Sequence, residues 1–81
     1  MKMSRKLLGW LEIVDDYGNH KYSVSKIEGD CYYLNQTTFL EDHPLRYNKK
    51  EERIEEFFPE DNCWDVYSQY LYQVDFIPNQ S

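Results

Sequence analysis

The chain contains few of the residues on which small secreted or metal-built domains depend. Its 81 residues include only two cysteines, Cys31 and Cys63, and only three glycines. A secreted domain of this length usually carries several disulfides, and a structural zinc site needs four ligands in short paired spacings. Because no other Cys or His lies within four residues of either cysteine, we expect two reduced thiols and no metal site.

Long apolar runs are absent as well. The run at residues 7–11 ends at Glu12, which makes it shorter than the apolar segment of a secretory signal. No stretch approaches the ~20 apolar residues of a membrane span. We therefore expect a cytoplasmic protein that binds no membrane.

Residue patterns typical of catalysis are also missing. A nucleophilic site needs a Ser or Cys beside a base that a third group orients, whereas Cys31, Cys63, His20 and His43 are scattered without a motif. The glycines form no phosphate-binding loop, and no loop alternates Asp and Asn ligands as a calcium loop does. We expect no enzymatic activity and no cofactor.

Negative charge, by contrast, is abundant and unevenly placed. The formal net charge is −6, and the isoelectric point is about 4.7. Residues 1–27 carry five Lys/Arg against three Asp/Glu, while residues 28–81 carry four against twelve. Since binding to nucleic-acid phosphates depends on accumulated positive charge, this balance argues against direct nucleic-acid binding.

The first half of the chain has the pattern of β-structure. Residues 7–14, 20–28 and 31–40 are rich in β-branched and aromatic side chains, and turn-forming sequences separate them. Gly18 and Gly29 can adopt the positive φ angles that tight turns require. The pattern predicts a three-stranded antiparallel meander.

Residues 48–58 carry the signals of an acidic helix. Asn48 can cap its start, and Glu51, three residues later, can complete a capping box. Three apolar residues then recur at helical spacing, and a proline follows. We therefore predict an α+β fold in one domain of residues 1–81: a small antiparallel sheet, made of the N-terminal meander and a C-terminal strand, with one acidic helix at about 48–58.

Residues 60–75 fit both a helix and a strand. Four side chains recur at helical spacing: Trp64, Tyr67, Leu71 and Val74. The tyrosines of the same segment also alternate as they would in a strand, and periodicity does not separate the two over so short a run. We favour a short turn or helix at 60–66 and a strand at 67–77, because tyrosine and valine suit a pleated surface.

The acidic residues concentrate in one segment. Nine carboxylates fall within residues 41–65 and are interleaved with aromatic residues. On a helix, acids four residues apart would lie about 6 Å apart along the axis, a spacing that can imitate backbone phosphates. The predicted partner-binding surface consists of Glu51, Glu52, Glu55, Glu56, Glu60 and Asp61.

In size, acidity and tyrosine content the chain resembles small phage-encoded host-takeover and anti-defence proteins. Several of those inhibit a host protein by imitating DNA. The resemblance implies an inhibitor that mimics DNA and blocks the nucleic-acid-binding surface of a basic host protein in the host cytoplasm. By analogy the targets rank as a histone-like nucleoid protein, RNA polymerase and a defence nuclease.

The alternative is a non-enzymatic interaction module that binds through an aromatic surface, with the acids serving only solubility. Charge reversal at Glu52 and Glu56 would separate the two hypotheses, since only mimicry depends on those carboxylates. In either case we expect a homodimer, because a chain this short buries a thin core that association would reinforce.

Overall fold

The computed structural model describes residues 7–79, and all regular structure within them is β. One antiparallel sheet contains the seven strands. Their bounds are β1 Gly9–Asp15, β2 Gly18–Glu28, β3 Cys31–Thr37, β4 Pro44–Asn48, β5 Arg53–Phe58, β6 Cys63–Ser68 and β7 Leu71–Pro78. The predicted α+β class is therefore wrong: the fold is all-β.

The predicted N-terminal meander is present as β1, β2 and β3. Consecutive strands pair antiparallel, and the first pairing runs from Gly9 opposite Val24 to Asp15 opposite Gly18. The predicted turn or helix at 60–66 is a turn only as far as residue 62, because β6 begins at Cys63. The single strand predicted at 67–77 is wrong as a continuous element, since Gln69 and Tyr70 separate the end of β6 from β7. The turn residues that separate β1, β2 and β3 lie next to one another in the sequence, which is why the meander was predictable.

The predicted helix at 48–58 is wrong, although its capping bond exists. The Glu51 backbone N–H donates to Asn48 Oδ1 at 3.1 Å, but the bond supports the turn between β4 and β5. Glu52 adopts a φ of 57°, which reverses the chain after one turn. Residues 53–58 then run as β5, with Ile54 opposite Tyr47. Asn favours tight turns as readily as helix starts, so the local signal had two outcomes.

The sheet is curled, and a short chain segment connects its two edge strands, β6 and β7. The strand order is β6-β5-β4-β3-β2-β1-β7, and only Gln69 and Tyr70 separate β6 from β7. In a flat sheet β3 and β7 would lie about 14 Å apart. The ring centroids of Tyr32 in β3 and Phe76 in β7 are only 5.5 Å apart. The sheet is therefore curled like the wall of a barrel, and its edge strands β6 and β7 are connected by the junction but do not pair with each other within residues 7–79.

The inner side of this wall holds a small apolar core. Side chains alternate in and out along each strand, as strand geometry requires. The buried apolar residues are Leu11, Ile13, Val24, Leu34, Leu45, Tyr47 and Ile54. Partly buried side chains of β7, Val74 and Phe76, pack against them. Within residues 7–79 no helix is long and apolar enough to cross a membrane.

The pairing of β1 with β7 depends on one glycine. A Cβ at Gly9 would lie 2.3 Å from the carbonyl oxygen of Ile77 and 2.9 Å from the ring of Phe76. Such contacts are too short for any side chain, so Gly9 permits the close approach of the two strands. This approach sets the position of β7, and hence of the β6–β7 junction described below.

Candidate functional site

The structure divides the predicted acidic surface into three parts. Glu51 and Glu52 are exposed in the β4–β5 turn, and Glu60 and Asp61 are exposed in the β5–β6 turn. The six residues of β5, about 20 Å of extended chain, lie between these turns. Glu55 and Glu56 belong to β5 itself, and their side chains are only 2% and 14% exposed. The six residues therefore form no single row.

Glu55 is the centre of a closed ion cluster on the outer face of the sheet. Its Oε1 accepts a bond from Arg46 Nε at 2.6 Å, and its Oε2 accepts one from Arg53 Nε at 2.7 Å. Asn48 Nδ2 donates to the same Oε2 at 3.3 Å. Burial alone would raise the pKa of Glu55, but the bonds from the two arginines outweigh it and hold the pKa below its ordinary value.

Aromatic rings cover the Glu55 cluster. The Arg46 guanidinium lies 4.2 Å from the ring centroid of Trp64, and its Nη1 donates to the Tyr33 hydroxyl at 3.2 Å. Phe57 also packs against Trp64, with centroids 5.2 Å apart. Every charge in the cluster therefore has a partner within the chain, so we assign it a structural role.

The second half-buried acid, Glu56, pairs with a histidine. Glu56 Oε2 lies 2.8 Å from His43 Nδ1, and Glu41 Oε1 lies 3.3 Å from the same nitrogen. The imidazole packs edge-on against Phe58. Sequence reasoning treated His43 as a scattered residue, because its partners come from the β3–β4 loop and from β5.

A tyrosine surface surrounds the β6–β7 junction. Tyr67 is the last but one residue of β6, Tyr70 lies in the junction and Tyr72 is the second residue of β7, while Tyr17 lies beside them in the β1–β2 turn. All four are exposed, with relative exposures from 48% for Tyr67 to 88% for Tyr17. The Tyr72 hydroxyl donates to Asp16 Oδ1, and this bond raises the pKa of Tyr72. We call these four tyrosines and Asp16 the tyrosine surface.

An open pocket of about 420 Å³ lies beside the tyrosine surface. It is lined by Asp15, Tyr17, His20, Tyr22, Tyr67 and Ser68, and we call it the Asp15 pocket. Asp15 is nearly buried; its Oδ1 accepts the Tyr17 backbone N–H at 2.8 Å and lies 2.9 Å from His20 Nε2. Burial raises the pKa of Tyr22, and the nearby Tyr67 and Asp15 add to the shift. Rings and a fixed carboxylate therefore line one concavity.

The lining of the Asp15 pocket combines a histidine–carboxylate pair with aromatic rings. The Asp15–His20 pair resembles the orienting half of a catalytic triad, and Ser68 lines the same pocket, but within residues 7–79 His20 Nε2 is bonded to Asp15 and not to Ser68. Cys31 begins β3, and Cys63 begins β6 at the end of that strand opposite to Tyr67 and Ser68. Stacked His20 and Tyr22, with ring centroids 6.1 Å apart, instead offer flat apolar faces.

The tyrosine surface escaped sequence reasoning because its members come from two distant segments. Tyr17 and Asp16 precede Tyr67, Tyr70 and Tyr72 by about fifty residues, and the pairing of β1 with β7, which places Asp15 opposite Leu71, brings them together. Two features of the sequence could have indicated this surface: the density of tyrosines at 67–72, and the two aspartates, Asp15 and Asp16, where β1 meets the β1–β2 turn.

Comparisons with protein families, curated proteins and solved structures found no match to this chain. Function must therefore be inferred from the geometry of its own side chains.

Proposed function

We propose that this chain is a non-enzymatic binding domain that holds a basic segment of another protein against its tyrosine surface. The observation that carries the proposal is the exposure of Tyr17, Tyr67, Tyr70 and Tyr72 around one junction, beside carboxylates. Tyrosine is enriched in the energetically dominant positions of protein interfaces, because it combines a large apolar face with a polar tip.

The charges beside the rings favour a cationic ligand. Within residues 7–79, Asp16 forms no ion pair and is bonded instead to the Tyr72 hydroxyl. A Lys or Arg side chain placed there would gain both a carboxylate and an aromatic face, and the two attractions reinforce each other. The net charge of −6 would also speed the approach of a basic partner.

The Asp15 pocket can anchor one side chain of such a segment. Its lining includes Tyr17, Tyr22 and Tyr67, and also Asp15, which is held by the Tyr17 N–H and by His20. A guanidinium or ammonium group in the pocket would lie close to both the rings and the carboxylate. This arrangement is the one that attracts cations in aromatic cages.

The direct test is an NMR titration of the ¹⁵N-labelled chain with a short oligo-arginine peptide and with an oligo-glutamate peptide of equal length. We expect saturable shifts at residues 15–22 and 67–72 with the basic peptide, and none with the acidic one. Shifts confined to the turns at 51–52 and 60–61 would contradict the proposal, because they would place binding at solvated acids.

Variants make the same test quantitative. Tyr67→Ala with Tyr70→Ala should weaken the basic peptide at least tenfold, about 1.4 kcal/mol, because both ring faces are removed without any change of charge. Glu51→Gln with Glu60→Gln removes two charges from the turns and should weaken binding less than threefold at about 0.15 M salt. If the second variant loses more affinity than the first, general acidity accounts for binding and the tyrosine surface does not.

DNA mimicry is a second proposal, now centred on the exposed acids alone. Glu51, Glu52, Glu60 and Asp61 all face solvent at the two ends of β5, which is compatible with contact to a basic DNA-binding groove. The chain should then displace labelled duplex DNA from a histone-like nucleoid protein, and about 0.5 M salt should abolish the displacement. Glu52→Lys with Asp61→Lys should remove it, whereas Tyr67→Ala with Tyr70→Ala should not.

Three further predictions accompany both proposals: the absence of enzymatic activity, a homodimeric state and a cytoplasmic location. Sedimentation of the chain at several concentrations measures whether it forms a homodimer. Dimerisation through the tyrosine surface would compete with the basic peptide, so the peptide should then lower the dimer fraction.

A further inference from the structure

We propose that Glu41, His43 and Glu56 form a binding site for one divalent transition-metal ion, of the class to which Zn²⁺ and Co²⁺ belong. Each residue offers one ligand atom, and the three atoms lie within 4.8 Å of one another. It is the only group of three or more such donors found within residues 7–79. None of the three belongs to the tyrosine surface or to the Asp15 pocket, so the site is independent of the proposed peptide binding.

The measured separations approach those of a metal centre. Zinc binds imidazole nitrogen and carboxylate oxygen at about 2.0–2.2 Å, so neighbouring ligands of a tetrahedral site lie about 3.4 Å apart. His43 Nδ1 is 3.3 Å from Glu41 Oε1 and 2.8 Å from Glu56 Oε2. Of these two distances only the shorter has to open, by about 0.6 Å, when an ion replaces the hydrogen between His43 and Glu56; the two carboxylate oxygens lie within 4.8 Å of each other.

The backbone around His43 holds its ring in place before any ion arrives. The His43 N–H donates to Thr38 Oγ1 at 2.9 Å, and the Thr38 N–H donates to the His43 carbonyl at 2.9 Å. Phe58 packs against the imidazole, with centroids 5.2 Å apart. Glu56 is fixed in β5 opposite Leu45. Two ligands are thus ordered by the fold, and only the exposed Glu41 side chain must be recruited, which keeps the entropic cost of binding small.

The donor set selects the class of ion. Imidazole nitrogen suits Zn²⁺, Co²⁺ and Ni²⁺, whereas Mg²⁺ and Ca²⁺ take oxygen ligands. Two carboxylates neutralise the charge of a divalent ion. Since the Glu41 side chain is 63% exposed, the site opens to solvent and leaves coordination positions for water. The ion would join the β3–β4 loop to β5 and so stabilise the fold.

The chain contains a matched control for this site. His20 and Asp15 form a second histidine–carboxylate pair, with the atoms 2.9 Å apart, but no third donor of this kind completes a group there within the described residues. If any histidine beside an acid were enough to bind the ion, both pairs would bind it. If three donors are required, only the His43 site will.

The experiment is a Co²⁺ titration of the full-length chain, followed by its visible absorption bands. It is run in a Cys31→Ser, Cys63→Ser background, because both thiols are free and Cys63 is exposed, and thiolates bind the same ions. We expect one Co²⁺ per chain, displacement by Zn²⁺, no displacement by Mg²⁺, and a rise in Tm of at least about 5 °C at an ion concentration 100-fold above Kd.

Three ligand variants and one control variant test the assignment of ligands. Glu41→Gln, at an exposed loop position, and Glu56→Gln should each weaken Co²⁺ binding at least tenfold, while His20→Ala should leave it unchanged. His43→Ala should abolish binding, and Glu41→Gln keeps the test valid if His43→Ala fails to fold. The proposal is overturned if the parent shows no saturable binding, if both Gln variants bind as tightly as the parent, or if His20→Ala removes the bands.

Discussion

On the outer face of β4–β6, Trp64 covers the guanidinium of Arg46, which is bonded to the carboxylate of Glu55. At the β6–β7 junction, Tyr67 and Tyr70 stand exposed near the carboxylates of Asp15 and Asp16. Both regions combine aromatic rings with acids. The first region also contains the cation that joins them, whereas Asp16 forms no ion pair within residues 7–79.

The difference indicates how the same chemistry serves structure in one place and binding in another. In the Glu55 cluster a buried carboxylate is paired with two partly exposed arginines, so removing the carboxylate leaves both cations without their partner. On the tyrosine surface the four rings and Asp16 are exposed, so their interaction energy is still available to a ligand. We therefore expect substitutions in the first region to change stability and those in the second to change affinity.

The largest effect is expected for Glu55→Gln. It removes the charge that Arg46 and Arg53 share and should lower the free energy of unfolding by about 3 kcal/mol. Urea denaturation followed by tryptophan fluorescence measures it. Glu60→Gln, an exposed acid in the next turn, is the control and should change stability by less than about 0.5 kcal/mol. Equal effects of the two substitutions would remove the distinction between the two regions.

Acid should lower the stability of the fold by protonating the carboxyl group of Glu55. Because the folded pKa of Glu55 is lowered, its contribution is complete above its unfolded pKa, about 4.3, and is lost as the pH falls through the folded value. The urea midpoint of the parent should therefore fall more steeply below about pH 4.3 than that of Glu55→Gln. Parallel pH profiles would show that Glu55 does not carry this dependence.

A smaller loss of stability is expected for Trp64→Ala, and Tyr70→Ala is the aromatic substitution with which it is compared. Trp64→Ala removes the contacts with Arg46 and Phe57 and should cost about 2 kcal/mol of stability. Tyr70→Ala, at an exposed junction residue, should cost less than about 0.5 kcal/mol but should weaken the basic peptide. Urea titration and peptide binding on the same samples reveal whether the two effects separate as expected. A Tyr70→Ala variant that unfolds early would show the junction to be structural.

The smallest effect is expected for Tyr72→Phe. It removes the hydroxyl that bonds Asp16 while keeping the ring, so the urea midpoint should stay unchanged. Affinity for the basic peptide should change by no more than about twofold, because an exposed neutral donor contributes little. A large loss of affinity would instead identify the Tyr72 hydroxyl as the main contact with the ligand.

The parts of the fold that were predictable from sequence are those specified by neighbouring residues. Alternation and turn residues predicted β1, β2 and β3, since Gly18 and Gly29 mark the two hairpins. The interval 48–58 was not predictable, because Asn48 makes the same side-chain bond in a turn as at a helix start. The outcome depended on Glu55 meeting Arg46 on another strand, which no local pattern reveals.

The candidate sites show the same limit. Acidity and tyrosine content suggested a binding protein, but the predicted surface included Glu55 and Glu56, which the fold encloses. The tyrosine surface needs residues 16–17 beside 67–72, and the proposed metal site needs the loop before β4 beside β5. Neither set has a spacing that a motif could describe.

By itself, then, the sequence determined the charge of the chain, its strand-forming first half and the absence of catalytic motifs, because each of these follows from composition or from adjacent residues. The tertiary structure decided that residues 53–58 form a strand, which acids are buried, and where the exposed tyrosines gather. Strand pairing and burial bring together residues that are far apart in the chain. The free energy that stabilises these arrangements comes from contacts that exist only in the folded sheet.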